Sequence, residues 1–151
     1  MSTSSWRTRL TLPGNAIRFA PPADESALEA AASALGVALP AELRTLLREA
    51  NGITDRFGSA LVWPAQEIGE RNRAFRANPD FRTLYMPFDA LLFFGDAGDG
   101  DQFFYRILDG AVRDTDIFVW AHETDSRTWS AASLESFLVS HLRGAQASDE
   151  S

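Results

Sequence analysis

No cysteine occurs among the 151 residues, which excludes a disulfide framework and any thiolate metal site and fits a reducing, cytoplasmic setting. Lysine is absent too. All 14 basic residues are arginine, so neither a lysine Schiff base nor a phosphate-loop lysine is available. No run approaches the roughly 18 apolar residues that a membrane span needs, and the start, Met1 to Arg7, lacks the apolar stretch of a signal peptide. Histidine appears only at His122 and His141. Positive charge is scarce relative to negative, with a formal net charge of −7. Such a chain lacks the clustered cations that phosphate contacts require, so nucleic acid is not an expected partner.

What is present reads as one folded domain. Apolar residues make up 45% and charged residues 23%, ordinary proportions for a chain of this length. The excess negative charge lies within a single window, Asp89 to Asp125. It holds Asp89, Asp96, Asp99, Asp101, Asp109, Asp114, Asp116, Glu123 and Asp125 against only Arg106 and Arg113. The remainder carries equal numbers of arginines and acids. A local field of this kind steers oppositely charged partners.

Helix signals dominate the first half. Ser26 with Glu29 forms a capping box ahead of the stripe Leu28, Ala31, Ala32 and Leu35, and Gly36 suits a left-handed stop. A second helix starts at Pro40, with Leu43, Leu46, Leu47 and Ala50 on one face, and ends at Asn51-Gly52. After a short strand at Ala60 to Trp63, a third helix is expected over Ala65 to Ala77, stopped by Asn78-Pro79, with Arg71, Arg73 and Arg76 on an exposed face. Strands follow at Leu91 to Phe94, Phe103 to Leu108 and Ile117 to Trp120, with Asp109-Gly110 as a hairpin turn. A last helix runs from Ser133 to about Arg143. Helices, then a strand meander, then a closing helix indicate an α+β fold: a mainly antiparallel mixed sheet flanked by N-terminal helices and a C-terminal helix. The expected organisation is an N-terminal segment with a short strand over 1–22, one domain over 23–143, and a frayed tail over 144–151, with fraying also at the first five residues.

Several chemistries were weighed on the acidic run Asp96-Ala97-Gly98-Asp99-Gly100-Asp101. A calcium loop needs oxygen ligands at positions 1, 3 and 5. Counted from Asp96, positions 3 and 5 are glycine; counted from Asp99, position 5 is Phe103. No metal is therefore expected. The glycines Gly95, Gly98 and Gly100 do not make GxGxxG, and three aspartates repel a pyrophosphate. The plainer reading is a turn loop shaped by those glycines. Spacing alone does not identify a catalytic acid pair, no GxSxG elbow exists for a triad, and two isolated histidines do not make a zinc site. Neither a catalytic residue nor a cofactor is expected. Trp63 and Trp120 end strands and read as core or half-core. Trp129, in the loop 124–129, is either packed under the final helix or exposed as an interface anchor, and ordinary burial habits favour packing.

Taken in order, these pieces resemble the SUKH superfamily, in its Smi/Knr branch. The resemblance covers roughly Ala23 to Leu142. It is carried by Leu35-Gly36-Val37-Ala38-Leu39-Pro40, Glu49-Ala50-Asn51-Gly52, Trp63-Pro64, Leu92-Phe93-Phe94-Gly95-Asp96, Gly100-Asp101-Gln102-Phe103-Phe104-Tyr105 and Ser133-Leu134-Glu135-Ser136-Phe137-Leu138. The resemblance implies a non-catalytic α+β domain. In bacteria such domains are commonly immunity proteins that neutralise polymorphic toxins, often nucleases or deaminases. The charge map agrees, since an acidic surface can occupy a basic cleft made for phosphate. Asp96, Asp99, Asp101, Asp114, Asp116, Glu123, Asp125 and Trp129 are the expected partner-binding residues, with Gly95, Gly98 and Gly100 shaping the loop. The second reading is a regulatory adaptor or scaffold of the cell-wall-regulator type that binds through an apolar patch around Trp129.

Overall fold

The computed structural model describes residues 5–11 and 16–150, with backbone alone at 82 and 144–150. In chain order the elements are α1 (Trp6–Leu10), β1 (Arg18–Phe19), α2 (Glu25–Leu35), α3 (Ala41–Glu49), β2 (Ile53–Thr54), β3 (Ala60–Val62), α4 (Ala65–Ala77) and α5 (Pro79–Leu84). They continue with β4 (Leu91–Asp96), β5 (Gln102–Arg106), β6 (Ile117–Ala121), β7 (Ser126–Ala131) and α6 (Leu134–Glu150). The α+β class holds, and every strand pairing is antiparallel. The strands form two sheets, β1-β2-β3 and β4-β5-β6-β7. Of the fraying expected at the ends, residues 1–4 and 151 lie outside the described residues; the backbone of 144–150 continues α6.

Local chemistry explains most element ends. Gly36 takes φ 75° and stops α2 as expected. The N-cap of α2 differs from the capping box read at Ser26: Asp24 Oδ1 accepts Ala27 N–H, and the Ser26 hydroxyl donates to that same carboxylate. A carboxylate two residues earlier is the stronger acceptor for the helix dipole. Asn78-Pro79 stops α4 and also starts α5, because Asn78 Oδ1 accepts the Asp80 and Phe81 N–H groups while proline sits in the first turn. Arg76 leaves the basic face expected of it. Its guanidinium turns inward to donate to Leu35 and Leu91 carbonyls at 2.9 and 3.1 Å.

A backbone bond from Trp63 N–H to the Phe94 carbonyl (2.7 Å) joins the two sheets. It falls at a bulge in β4, where the pairing with β5 jumps between Phe93 and Gly95. The chains approach so closely there that a Cβ on Gly95 would lie 1.9 Å from the Leu61 carbonyl oxygen. Asn72, buried on α4, fixes the same strand from above. Its amide nitrogen donates to the Phe93 carbonyl (2.8 Å), and its oxygen accepts Phe93 N–H (2.9 Å).

The second sheet is covered on both faces, which is why Leu91 to Phe94 reads as an unbroken apolar run. On one face Phe94, Phe103 and Tyr105 pack with Phe137 of α6. On the other, Phe93 and Trp120 meet Phe75 of α4 and Tyr85 and Phe88 of the segment after α5. Asp109 and Gly110 both take positive φ, 50° and 77°, and Leu108 bridges Ala111 around them, the turn geometry read from the Asp-Gly pair.

Candidate interaction surface

Antiparallel strands carry the chain to and fro, so successive groups of acids arrive at alternate ends of the sheet. Asp96, Asp99, Asp101, Glu123 and Asp125 gather at the end formed by the β4–β5 loop and the β6–β7 turn. Asp89, Asp109, Asp114 and Asp116 lie at the other end, beside the start of β4, the end of β5 and the start of β6. Five-residue strands separate the two groups by roughly 15 Å. The single acidic surface expected from the sequence is thus two smaller ones.

Most of these carboxylates are also occupied within the chain. Asp96 accepts the buried Trp63 indole N–H at 2.7 Å with one oxygen and Gly98 N–H at 2.8 Å with the other. Asp99 Oδ1 accepts Asp101 N–H (3.0 Å). Asp101 Oδ1 in turn accepts the backbone N–H of His122 (3.1 Å) and meets its Nδ1 at 2.8 Å, tying the β4–β5 loop to the β6–β7 turn. Gly100, at φ 107°, lies flat against that imidazole, and a Cβ there would come within 2.8 Å of the ring. Gly98 packs on Ser59, whose hydroxyl donates to the Ala97 carbonyl at 3.2 Å and draws in the β2–β3 tip with its exposed Phe57.

Asp125 is the most fully committed acid. Burial pushes its pKa up, but the Met86 N–H, the Trp120 indole N–H and Arg127 together hold it below the ordinary carboxylate range. At the far end Arg106 pairs with Asp114 at 2.7 Å and stands 4.0 Å from Asp116. Asp99 and Glu123 are the two acids of the loop end that stay exposed.

His122 and His141 are displaced in opposite directions. The hydrogen bond to Asp101 raises His122 above its usual value, with the Glu123 and Asp99 charges adding to this. Burial against Phe103 and Phe137 lowers His141, opposed by the charge of Asp55. A proton NMR titration should therefore resolve one imidazole titrating above 6.5 and the other below it. Asp101→Asn should return the higher one toward 6.5 and leave the lower one unmoved. By linkage, the His122–Asp101 contact contributes its full stabilisation below the unfolded histidine pKa and loses it as pH rises through the raised folded value.

Trp129 departs from the core placement expected of it. It lies on β7, 56% exposed, and its indole N–H donates to Asp116 at 3.1 Å. It sits opposite half-buried Phe118 on β6, over whose ring the Arg106 guanidinium stands at 5.3 Å. Sequence reading missed Phe118 and Arg106 as members of this surface; the i,i+2 spacing that sets Phe118 on the same strand face as Trp120 was the available signal. A separate cleft of about 270 Å³ lies among Phe75, Phe81, Tyr85, Met86 and Phe88.

A family model described as SMI1-KNR4 cell-wall (SUKH_6) matches residues 25–138, from the first residue of α2 into α6. The chain belongs to the SUKH superfamily. No curated protein matches it. The matched stretch contains both sheets apart from β1, so every acid of the two groups at the ends of the second sheet, and Trp129, lies inside the SUKH domain. No helix among the described residues is long and apolar enough to cross a membrane.

Proposed function

We propose that this SUKH domain is a non-catalytic immunity protein that neutralises a bacterial toxin of nuclease or deaminase type. Its basic partner docks on the loop end of the second sheet, around Asp96, Asp99, Asp101 and Glu123. The carrying observation is the rigidity of that end. Asp96 is held by Trp63, Asp101 by His122, and Gly100 is pressed on the imidazole. Carboxylates fixed in this way present negative charge with little ordering cost on association. Asp99 and Glu123 supply the exposed charge, and Phe57 offers an apolar anchor at the same end. Asp114, Asp116 and Asp125 have no place at this contact, because they are remote or internally neutralised.

The adaptor reading is favoured by a different observation, the exposed Trp129 beside Phe118. An interface centred there is apolar and responds little to ionic strength. Growth rescue separates the two. Cells expressing a candidate toxin domain of nuclease or deaminase type should survive when the chain is co-expressed, and Asp99→Arg with Glu123→Arg should abolish survival. Survival with that double variant, lost instead on Trp129→Ala, would move the contact to the apolar surface, and no survival with the parent chain would contradict the immunity reading in favour of the adaptor.

A further inference from the structure

We propose that the outer edge of β7 receives an extended, basic segment of a partner protein, which adds to the second sheet as a fifth strand beside Trp129. The proposal rests on the reading of the chain as a protein-binding domain and is independent of whether the partner is a toxin.

β7 is the terminal strand of its sheet. Among the described residues its backbone bonds only to β6 and, at Ser126 N–H, to the Thr124 hydroxyl. In an edge strand every second residue turns its N–H and C=O outward, a template for another strand. Of the usual protections β7 has one, a bulge at Ser130 where the pairing with β6 jumps from Trp129 to Ala131, which leaves 126–129 in regular register. β7 has six residues and contains neither proline nor lysine. Its one charged side chain, Arg127, is drawn inward onto the Met86 and Pro87 carbonyls and Asp125, so no charge guards the edge. Ser126, Thr128, Trp129 and Ser130 are all exposed.

Charge selects the occupant. A second copy pairing antiparallel about a two-fold axis would set the Glu123 turn of one molecule against the Asp114–Asp116 end of the other. Arg106 faces both of those aspartates and can neutralise only one, so acids would oppose acids, which disfavours self-pairing. A foreign strand bearing arginine or lysine meets acid at both ends of the edge and finds the Trp129 ring between them, a surface suited to aliphatic or guanidinium contact.

The test titrates the ¹⁵N-labelled protein with a decapeptide of alternating arginine and valine, and with the same peptide methylated at every backbone amide. The unmethylated peptide should shift the amides of 126–131 and the Trp129 indole. The methylated peptide should leave them unmoved, and Trp129→Ala should weaken binding at least about fivefold. Equal shifts with both peptides would mean charge attraction without strand addition and overturn the proposal, as would no shift at 126–131 with either. A concentration-dependent dimer with altered β7 amides would overturn it in favour of a second copy. Growth rescue that persists while the β7 amides stay silent leaves the immunity reading standing and removes only the edge.

Discussion

Gly95→Ala should destabilise the protein by about 3 kcal/mol or more, lowering the melting temperature by about 10 °C for a chain of this size. An added Cβ would lie 1.9 Å from the Leu61 carbonyl oxygen and 2.5 Å from its carbon. Both are backbone atoms of the segment leading into the Trp63–Phe94 bond, so relief requires parting β3 from β4. Gly58→Ala is the informative comparison. Gly58 takes φ 87° with open space where its Cβ would be, so that variant loses only the left-handed conformational term, roughly 1–2 kcal/mol. Thermal unfolding of the two variants separates collision from conformation. A Gly95→Ala protein that melts within a degree or two of the parent would show that the sheets do not meet as described.

Asn72→Ala should cost about 3 kcal/mol, because it strands the Phe93 N–H and C=O without partners in a buried setting. The Ile68 carbonyl loses the hydrogen bond donated by the Asn72 side-chain amide as well. Asn72→Asp keeps the shape and separates hydrogen bonding from packing. Its carboxylate accepts Phe93 N–H but faces two carbonyl oxygens where the amide donated, so ionisation is penalised and its pKa is raised. Measured against the parent at the same pH in urea, the Asp variant should be most deficient at neutral pH. It should recover part of the deficit near pH 4, where the protonated acid can donate again. An Asn72→Asp deficit that is constant across pH would mean that the side chain does not bridge α4 and β4.

Where sequence reading succeeded, the decisive chemistry was local. Ala65 to Ala77 is a helix to the residue because Pro64 and Asn78-Pro79 bound it, and Gly36 and Asp109-Gly110 turn the chain through positive φ as their types favour. Where it fell short, a distant partner decided. β7 carries Ser, Arg, Thr and Trp with one face open to solvent, so it lacks apolar alternation and its sequence reads as loop; pairing with β6 makes it a strand. α1 is five residues long, and the Glu49 carboxylate, far along the chain, accepts the Trp6 N–H at 2.8 and 3.0 Å. Arg76 stands in a helix rich in arginines, and only the positions of Leu35 and Leu91 reveal that it points inward. The acidic window is legible as charge and misleading as surface, because each hairpin reverses the chain and sends successive groups of acids to alternate ends. The Asp101–His122 contact spans 21 residues, and nothing in their spacing announces it.

The reduced loop end remains the centre of the functional account, and association kinetics with a toxin domain that the chain neutralises in the growth assay test it most directly. Asp99→Arg with Glu123→Arg changes exposed charge and removes one loop hydrogen bond, from Asp101 N–H to Asp99, but spares the Asp96–Trp63 and Asp101–His122 contacts that hold the loop to its neighbours. At low ionic strength the double variant should associate at least about tenfold more slowly than the parent, and the difference should shrink as salt screens the field. Equal association rates for variant and parent at low salt would contradict docking through this end of the sheet.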